Sequence, residues 1–175
     1  FSIKQDSLHI DLRSLRSKEL YQEVGDEWRI RTGAGNTFED LDEIIDYRRF
    51  SYVHGGCMSV GVGGFYLPGR FPLDPLTALS GQGNANIVSM QVVTAAGDIV
   101  SLDDVHHPDL FYAMRVAGSS FGIMTELVVR VYEVPEPHTW VIALAYGIPD
   151  SKLVEVFLAA HTDPVGVSLY ITPYV

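Results

Sequence analysis

Alternating apolar and polar residues predict strands in several parts of the chain. Residues 7–12 place three apolar side chains on one side, which is typical of a half-buried strand. Residues 28–32 and 127–131 predict two more strands in the same way. Residues 87–94 and 99–102 flank a turn-forming sequence and therefore predict a β-hairpin. The apolar residues of the first strand are Leu8, Ile10 and Leu12.

Apolar residues at helical spacing predict two helices. The first helix has Asn36 as its N-cap and Glu39 as the capping-box partner, and it runs to about Arg49. Four carboxylates are predicted to form its solvated face, namely Asp40, Asp42, Glu43 and Asp46. The second helix follows Pro108 and turns inward Leu110, Phe111 and Met114. Residues 70–86 show little periodicity and predict a long irregular crossing.

The composition changes at Val134-Pro135-Glu136-Pro137, which predicts a rigid, extended linker. The strand, helix and strand predicted after it are too few to bury their own faces. We therefore expect one domain over residues 1–134 and the start of a second over residues 135–175. The chain opens at Phe1 and closes in a strand-like run, so we expect a piece of a longer protein.

The net charge of −10 argues against nucleic acid as a partner, because binding phosphate backbones needs clustered Lys and Arg. No apolar run approaches the ~18 residues of a membrane-spanning helix, so we expect no transmembrane segment in this chain. The histidines do not form a metal-binding set. The sequence contains no signal that predicts a cellular compartment.

Glycine is concentrated around the single cysteine of the chain, Cys57. Six of the 16 glycines fall between Gly55 and Gly69, and such a segment lets backbone approach a ligand closely. A thiol placed against a cofactor is one interpretation, and a structural glycine turn is the other, which glycine content alone favours. A nucleophilic pair of Cys57 with His54 is a third interpretation, but the sequence shows no Asn or Asp to orient it.

Four motifs follow one another along the chain. They are Gly55-Gly56-Cys57-Met58-Ser59-Val60-Gly61-Val62-Gly63-Gly64, Ala85-Asn86-Ile87, Val92-Val93-Thr94-Ala95-Ala96-Gly97, and the segment from Pro108 to Thr125 that contains Gly118-Ser119-Ser120-Phe121-Gly122-Ile123. In this order they resemble the FAD-linked oxidases of the berberine bridge enzyme type, within the vanillyl-alcohol-oxidase superfamily. The resemblance covers about residues 1–135.

This resemblance implies an α+β fold: an incomplete PCMH-type FAD-binding domain, mainly its second subdomain, followed by the start of an α+β substrate-domain sheet. It implies FAD as the cofactor, with the sulfur of Cys57 bonded to carbon 6 of the flavin ring. No catalytic residue and no metal ligand is predicted in this chain. The residues implied to hold FAD are Cys57, Gly55, Gly56, Val60, Gly61, Val62, Gly63, Gly64, Asn86, Ile87, Gly118, Ser119, Gly122 and Ile123.

The resemblance also implies an oxidoreductase that oxidises an alcohol, sugar or related carbon donor. Val60, three residues after the cysteine, is small enough to admit oxygen beside the flavin, so hydrogen peroxide is the expected second product. The family's pyrophosphate loop and catalytic base are expected outside this chain. The alternative is a non-catalytic accessory subunit of a larger assembly, because Arg70, Ala85 and Val116 replace the family's usual Gly, Asp and Gly.

Overall fold

The computed structural model describes residues 6–70 and 80–133. It contains the helices α1 (Phe38–Asp42), α2 (Val62–Tyr66) and α3 (Pro108–Ala117). Its strands are β1 (Lys18–Gln22), β2 (Trp28–Gly33), β3 (Phe50–Tyr52), β4 (Ile87–Val93), β5 (Ile99–Leu102) and β6 (Ile123–Glu133). Short 3₁₀ turns cover Gly83–Asn86 and Gly118–Ser120. The predicted linker, everything predicted beyond it, and most of the irregular crossing lie outside the described residues.

The strands form one antiparallel sheet in the order β1-β2-β6-β4-β5. β6 is 11 residues long and pairs with β2 on one side and with β4 on the other. Near its end, β6 also pairs with β3, so that Tyr52 lies opposite Val131. The predicted hairpin is confirmed as β4 and β5, and the predicted strands over residues 28–32 and 127–131 are confirmed within β2 and β6.

One face of the sheet packs into the core and the other is charged. Side chains that alternate along β2 and β6, such as Ile30, Leu127 and Val129, are buried in a single cluster with residues of all three helices. On the opposite face, Arg31 lies 3.5 Å from a carboxylate oxygen of Glu19. This division is the one expected for an antiparallel sheet with a single covered face. The described residues therefore form an α+β fold.

The strand predicted over residues 7–12 is wrong. These residues form no regular structure, and Leu8 is 85% exposed. The segment that follows lies across the turn after β2 instead: the amide of Gly33 donates to Ser17, and that of Gly35 donates to Leu15. A Cβ on either glycine would overlap a carbonyl oxygen of this segment. Residues 12–17, called the strap below, therefore pack directly against glycine backbone, and pairing with β2 begins only at Lys18.

The first predicted helix is confirmed in position but not in its bounds or its cap. The N-cap is Thr37, and its capping-box partner is Asp40. The predicted cap, Asn36, instead uses its amide group to donate to Ser17 O and Thr32 Oγ1. The helix ends early because the next two amides, of residues 44 and 45, bond three residues back, which tightens the chain into turns. Asp40 is buried and does not belong to a solvated face.

Three elements were missed by the sequence pattern, namely β1, β3 and α2. β3 has only three residues, which is too short to show alternation. α2 lies inside the glycine-rich segment, where glycine disfavours helix by about 1 kcal/mol per residue. Its apolar residues compensate, because Val62, Phe65 and Tyr66 lie on one side of the helix and are buried. The helix predicted after Pro108 is confirmed as α3, which buries Phe111 and Met114.

Strand β6 offers a direct test of this core. Leu127 is fully buried, so Leu127→Ala should lower the free energy of unfolding by about 2–5 kcal/mol. Val24 is fully exposed between β1 and β2, so Val24→Ala should change the free energy of unfolding by less than about 0.5 kcal/mol. Urea unfolding of the two purified variants makes the comparison. Equal effects would contradict the placement of Leu127 in the core.

Candidate functional site

The cysteine loop, residues 55–61, lies at the protein surface. Cys57 is exposed, and its Sγ lies 3.2 Å from the hydroxyl oxygen of Ser59. The amide of Val60 donates back to the carbonyl of Cys57 over 3.2 Å, which closes a tight turn around the thiol. Val60 itself is half-buried. The thiol is therefore held in a defined turn and remains accessible from outside.

Backbone hydrogen bonds fasten the cysteine loop to the start of α1. The amide of Phe38 donates to Val60 O over 3.2 Å, and that of Glu39 donates to Met58 O over 3.0 Å. An antiparallel bridge joins Thr37 to Gly61. In the reverse direction, the amide of residue 62 donates to the carbonyl of residue 36 over 3.0 Å. The loop conformation therefore depends on the conformation of residues 36–39.

The glycines after Cys57 leave open space. A Cβ on Gly64 would meet no atom within 4 Å, and one on Gly61 would meet only the Asn36 carbonyl oxygen at 4.0 Å. Within the described part of the chain, the amides of Gly63 and Gly64 have no acceptor. Gly63 faces inward, where a Cβ would lie 3.3 Å from Met124 Cε. One side of this segment packs on β6, and the other presents bare backbone.

An aromatic cluster supports the residues before Cys57. The Nδ1 atom of His54 lies 2.9 Å from the carbonyl oxygen of Gly55, and because a carbonyl only accepts, this nitrogen is the donor. The His54 ring packs against Tyr52 and Phe38, with centroids 5.2 and 5.9 Å apart. A Cβ on Gly55 would lie 3.3 Å from the ring of Phe65. Gly56, the next residue, is exposed.

Buried tyrosine hydroxyls anchor the same region. Tyr66 is fully buried in α2, and its hydroxyl donates to Val53 O. Burial raises the pKa of Tyr66, as it does that of Tyr52, whose hydroxyl donates to Asp42. Both tyrosines therefore stay protonated and act as structural donors rather than as bases.

The second predicted loop packs against the first. Gly118 is buried, and a Cβ there would lie 3.0 Å from Leu67, the C-cap residue of α2. Gly122 lies against β4, where a Cβ would be 2.9 Å from the carbonyl oxygen of Val93. Ile123 then begins β6 opposite Val93, and Ser119 is exposed. The structure thus brings both predicted glycine loops to α2.

Asn86 and Ile87 lie elsewhere along the sheet. Ile87 is buried and pairs with Val129, whereas Ile123 pairs with the far end of β4. Six residues of strand separate the two sites, or about 20 Å. The side chain of Asn86 is fully buried, and its partners all belong to this chain: it donates to Ser80 O and Gln82 O and accepts from Tyr132. Any contact of Asn86 with a ligand would therefore use its backbone.

A carboxylate that the sequence pattern placed in solvent lies behind the cysteine loop. Asp40 accepts from the amide of Thr37 over 2.8 Å and from the Thr37 hydroxyl over 2.9 Å. The amide hydrogen bond is the main reason that the pKa of Asp40 lies below its ordinary value, and the charges of Arg16 and Lys18 act in the same direction. The spacing Thr37-x-x-Asp40 is the signal that could have identified this capping pair.

Comparison with known proteins identifies the class. Residues 1–103 match the model of an FAD binding domain. The chain is 33% identical over 135 residues to (R)-6-hydroxynicotine oxidase of Paenarthrobacter nicotinovorans, covering 77% of this chain and 28% of that protein. The chain thus spans little more than a quarter of the curated relative's length.

Solved structures agree. Xylooligosaccharide oxidase from Myceliophthora thermophila superimposes with a TM-score of 0.62 at 29% identity, covering 71% of this chain and 25% of that one. A glucooligosaccharide oxidase of Acremonium strictum, described as having a novel flavinylation, gives a TM-score of 0.59 at 25% identity, covering 72% and 25%. The fold is the one found in FAD-linked oxidases. The chain belongs to the FAD-linked oxidases with a PCMH-type FAD-binding domain, in their berberine bridge enzyme-like group.

The residues present fit FAD. The open backbone from Gly61 to Gly64 suits a phosphate-bearing chain laid along it, because the amides of Gly63 and Gly64 lack acceptors among the described residues. Cys57 is exposed at the start of that segment. Within the described ranges, no group of three or more His, Cys, Asp or Glu could hold a metal ion. No helix in those ranges is long and apolar enough to cross a membrane.

The lowered pKa of Asp40 has a consequence for stability at acid pH. An unfolded Asp titrates near its ordinary value of 3.8, and the folded Asp40 titrates below it. Its contribution to stability is therefore complete above 3.8, shrinks as the pH falls below that value, and is gone below the lowered folded pKa. We expect the difference in unfolding free energy between wild type and Asp40→Asn to be constant above about pH 5 and to shrink below about pH 4. Urea titrations across this range measure it, and a difference that persists unchanged down to about pH 2 would refute the assignment.

Proposed function

We propose that the whole protein containing this chain is an FAD-dependent oxidoreductase that oxidises an alcohol, a sugar or a related carbon donor, with molecular oxygen as the acceptor. The observation that carries the proposal is an exposed thiol, Cys57, at the start of an open glycine backbone in a chain of this family. FAD supplies the hydride-accepting chemistry when bound. The residues of this chain bind the cofactor, orient it and limit access to it.

The proposed cofactor site consists of three segments. The cysteine loop and α2 contribute Gly55 to Gly64, and the turn before β6 together with its first residue contributes Gly118 to Ile123. Gly118 packs against Leu67, the C-cap residue of α2. The third segment, Asn86-Ile87, lies about 20 Å along β4 from Ile123, so a ligand that touches both must be elongated. A dinucleotide meets that requirement. Residues 1–134 are proposed as part of the FAD-binding domain and residues 135–175 as the start of the substrate domain.

The proposed substrate class rests on related proteins. Three relatives of this chain are named as a 6-hydroxynicotine oxidase, a xylooligosaccharide oxidase and a glucooligosaccharide oxidase. These three names support oxygen as the acceptor, while the substrates that they give differ. We therefore propose that the protein oxidises a carbon–hydrogen bond of its substrate, and we assign no single substrate.

Covalent attachment through Cys57 predicts that the denatured protein keeps its flavin and therefore its yellow colour. Wild-type protein should stay yellow after denaturation in acid, and Cys57→Ala should release all of its flavin into the supernatant. Ser59→Ala is the matched control, because it removes the hydroxyl 3.2 Å from Sγ and keeps the thiol. Absorbance of pellet and supernatant at the flavin maximum measures the outcome. A wild-type protein that binds no flavin at all would instead support the non-catalytic accessory subunit, a component of a larger complex.

The small side chain of Val60 predicts fast reoxidation of the reduced enzyme by oxygen. Val60→Leu should slow reoxidation of the reduced enzyme by roughly tenfold or more, because the added methylene fills the space through which oxygen reaches the ring. Reduction by substrate should be unchanged. Val116→Leu makes the same chemical change on the exposed side of α3 and should have no effect. Stopped-flow absorbance separates the two half-reactions, and equal reoxidation rates in all three proteins would exclude Val60 as the gate.

A further inference from the structure

We propose that Asp40 is a positioning residue for the attachment of FAD to Cys57. The proposal rests on the proposed function above and extends it to a side chain that no sequence motif assigned to the site. Asp40 lies in α1. It acts on the cysteine loop through Thr37 and the two residues after it, whose backbone hydrogen-bonds to the loop.

The first step is the contact between Asp40 and the start of α1. One carboxylate oxygen accepts from both the amide and the hydroxyl of Thr37, over 2.8 and 2.9 Å. In return, the Asp40 amide donates to the Thr37 hydroxyl over 3.4 Å. This reciprocal capping box fixes the backbone conformation of residue 37 and the two residues after it.

The second step runs from that backbone to the cysteine loop. Thr37 is bridged to Gly61, and the two amides that follow it donate to Val60 O and Met58 O. Both acceptors lie within the turn that holds Cys57. A change in the direction of residues 37–39 would therefore move the turn. The loop has no described contact of equal extent with any other part of the backbone.

The third step is the strap. Arg16 pairs with the second carboxylate oxygen of Asp40. The Asp40 side chain is almost fully buried, whereas about half of the Arg16 side chain is exposed. Lys18 donates to the Asp40 carbonyl oxygen over 3.0 Å and pairs with Glu43. Asp40 therefore receives donors from both the helix start and the strap. An amide side chain at position 40 has only one oxygen that can accept a hydrogen bond. Its nitrogen would face a donor, either of Thr37 or of Arg16, and could not accept from it.

Attachment is an oxidation. The Sγ–carbon 6 bond forms, the thiol and carbon 6 each lose one hydrogen, and molecular oxygen takes up both hydrogens with two electrons as hydrogen peroxide. Asp40 does not exchange a proton in this balance. Its role is to hold Sγ where the bond can form, so its loss should slow attachment more than it weakens the binding of FAD.

The test uses full-length protein prepared without flavin, with free FAD as the probe. Asp40→Asn should slow the covalent incorporation of FAD by about tenfold and change the Kd for FAD by less than about threefold. Hydrogen exchange by mass spectrometry should show faster exchange in peptides covering residues 36–41 and 57–62, and unchanged exchange in β6. Asp40→Glu should restore much of the rate, because Glu also closes a capping box.

Two controls separate positioning from loss of stability. Glu43→Gln removes a carboxylate from the C-cap residue of α1, and with it the ion pair to Lys18 at the start of β1, but does not touch Thr37. Ile45→Val trims a buried side chain near α1 and lowers stability without touching the loop. Both should keep the wild-type attachment rate. An Asp40→Asn rate within about twofold of wild type, or equal slowing in either control, would overturn the proposal.

The two levels of the proposal fail differently. If wild type binds no FAD at all, the proposed function fails; if it binds FAD but neither wild type nor Glu43→Gln acquires covalent flavin, the attachment through Cys57 fails. The exchange measurement then still decides whether Asp40 holds the loop, and unchanged exchange at residues 57–62 would refute that too. If wild type attaches FAD and Asp40→Asn does so equally fast, the function stands and the role of Asp40 falls.

Discussion

The described fold depends on the backbone pairing of β6. Its 11 residues hydrogen-bond to β2 along one side and to β4 and β3 along the other, so most of its buried amides and carbonyls are paired. This pairing also sets where the loops lie. The amide of Ala34, just after β2, donates to the carbonyl of Thr125 near the start of β6 over 2.9 Å. The glycine turn after β2 and the glycine-rich helix α2 consequently lie on the same end of the sheet.

The cysteine loop owes its shape to neighbours rather than to its own residues. Glycines contribute no side-chain packing, and the loop's hydrogen bonds go mainly to backbone at the start of α1. Its inward contacts come from Val62 and Phe65, which are buried in the core cluster. A site of this construction can expose bare backbone to a ligand on one side, because everything that stabilises it lies on the other. The supporting residues are therefore as much part of the site as the glycines.

The sequence pattern predicted the long elements and the glycine loops, and it failed where the partner of a segment decides the outcome. Alternating apolar residues identified the hairpin, and apolar residues at helical spacing identified α3. Both elements bury one side against the same core. Residues 7–12 alternate equally well but pair with none of the strands in residues 6–70 and 80–133, and Leu8 is exposed. Asp40 was placed in solvent because a helical wheel does not show the capping bond to Thr37 or the approach of Arg16 from 24 residues away. Cys57 was predicted as a site residue only from the order of motifs around it, and its role stays a prediction.

The contact between the strap and the turn after β2 limits how this domain can be recombined with its relatives. Gly33 and Gly35 have no room for a Cβ, because carbonyl oxygens of Leu15 and Leu12 occupy that space. The two segments are separated in sequence yet fit each other only as a matched pair, so a hybrid joined between them would combine a strap and a turn shaped for different partners. A junction before residue 12 keeps the pair intact. The useful unit of exchange in this part of the chain therefore begins at the strap rather than at the first strand.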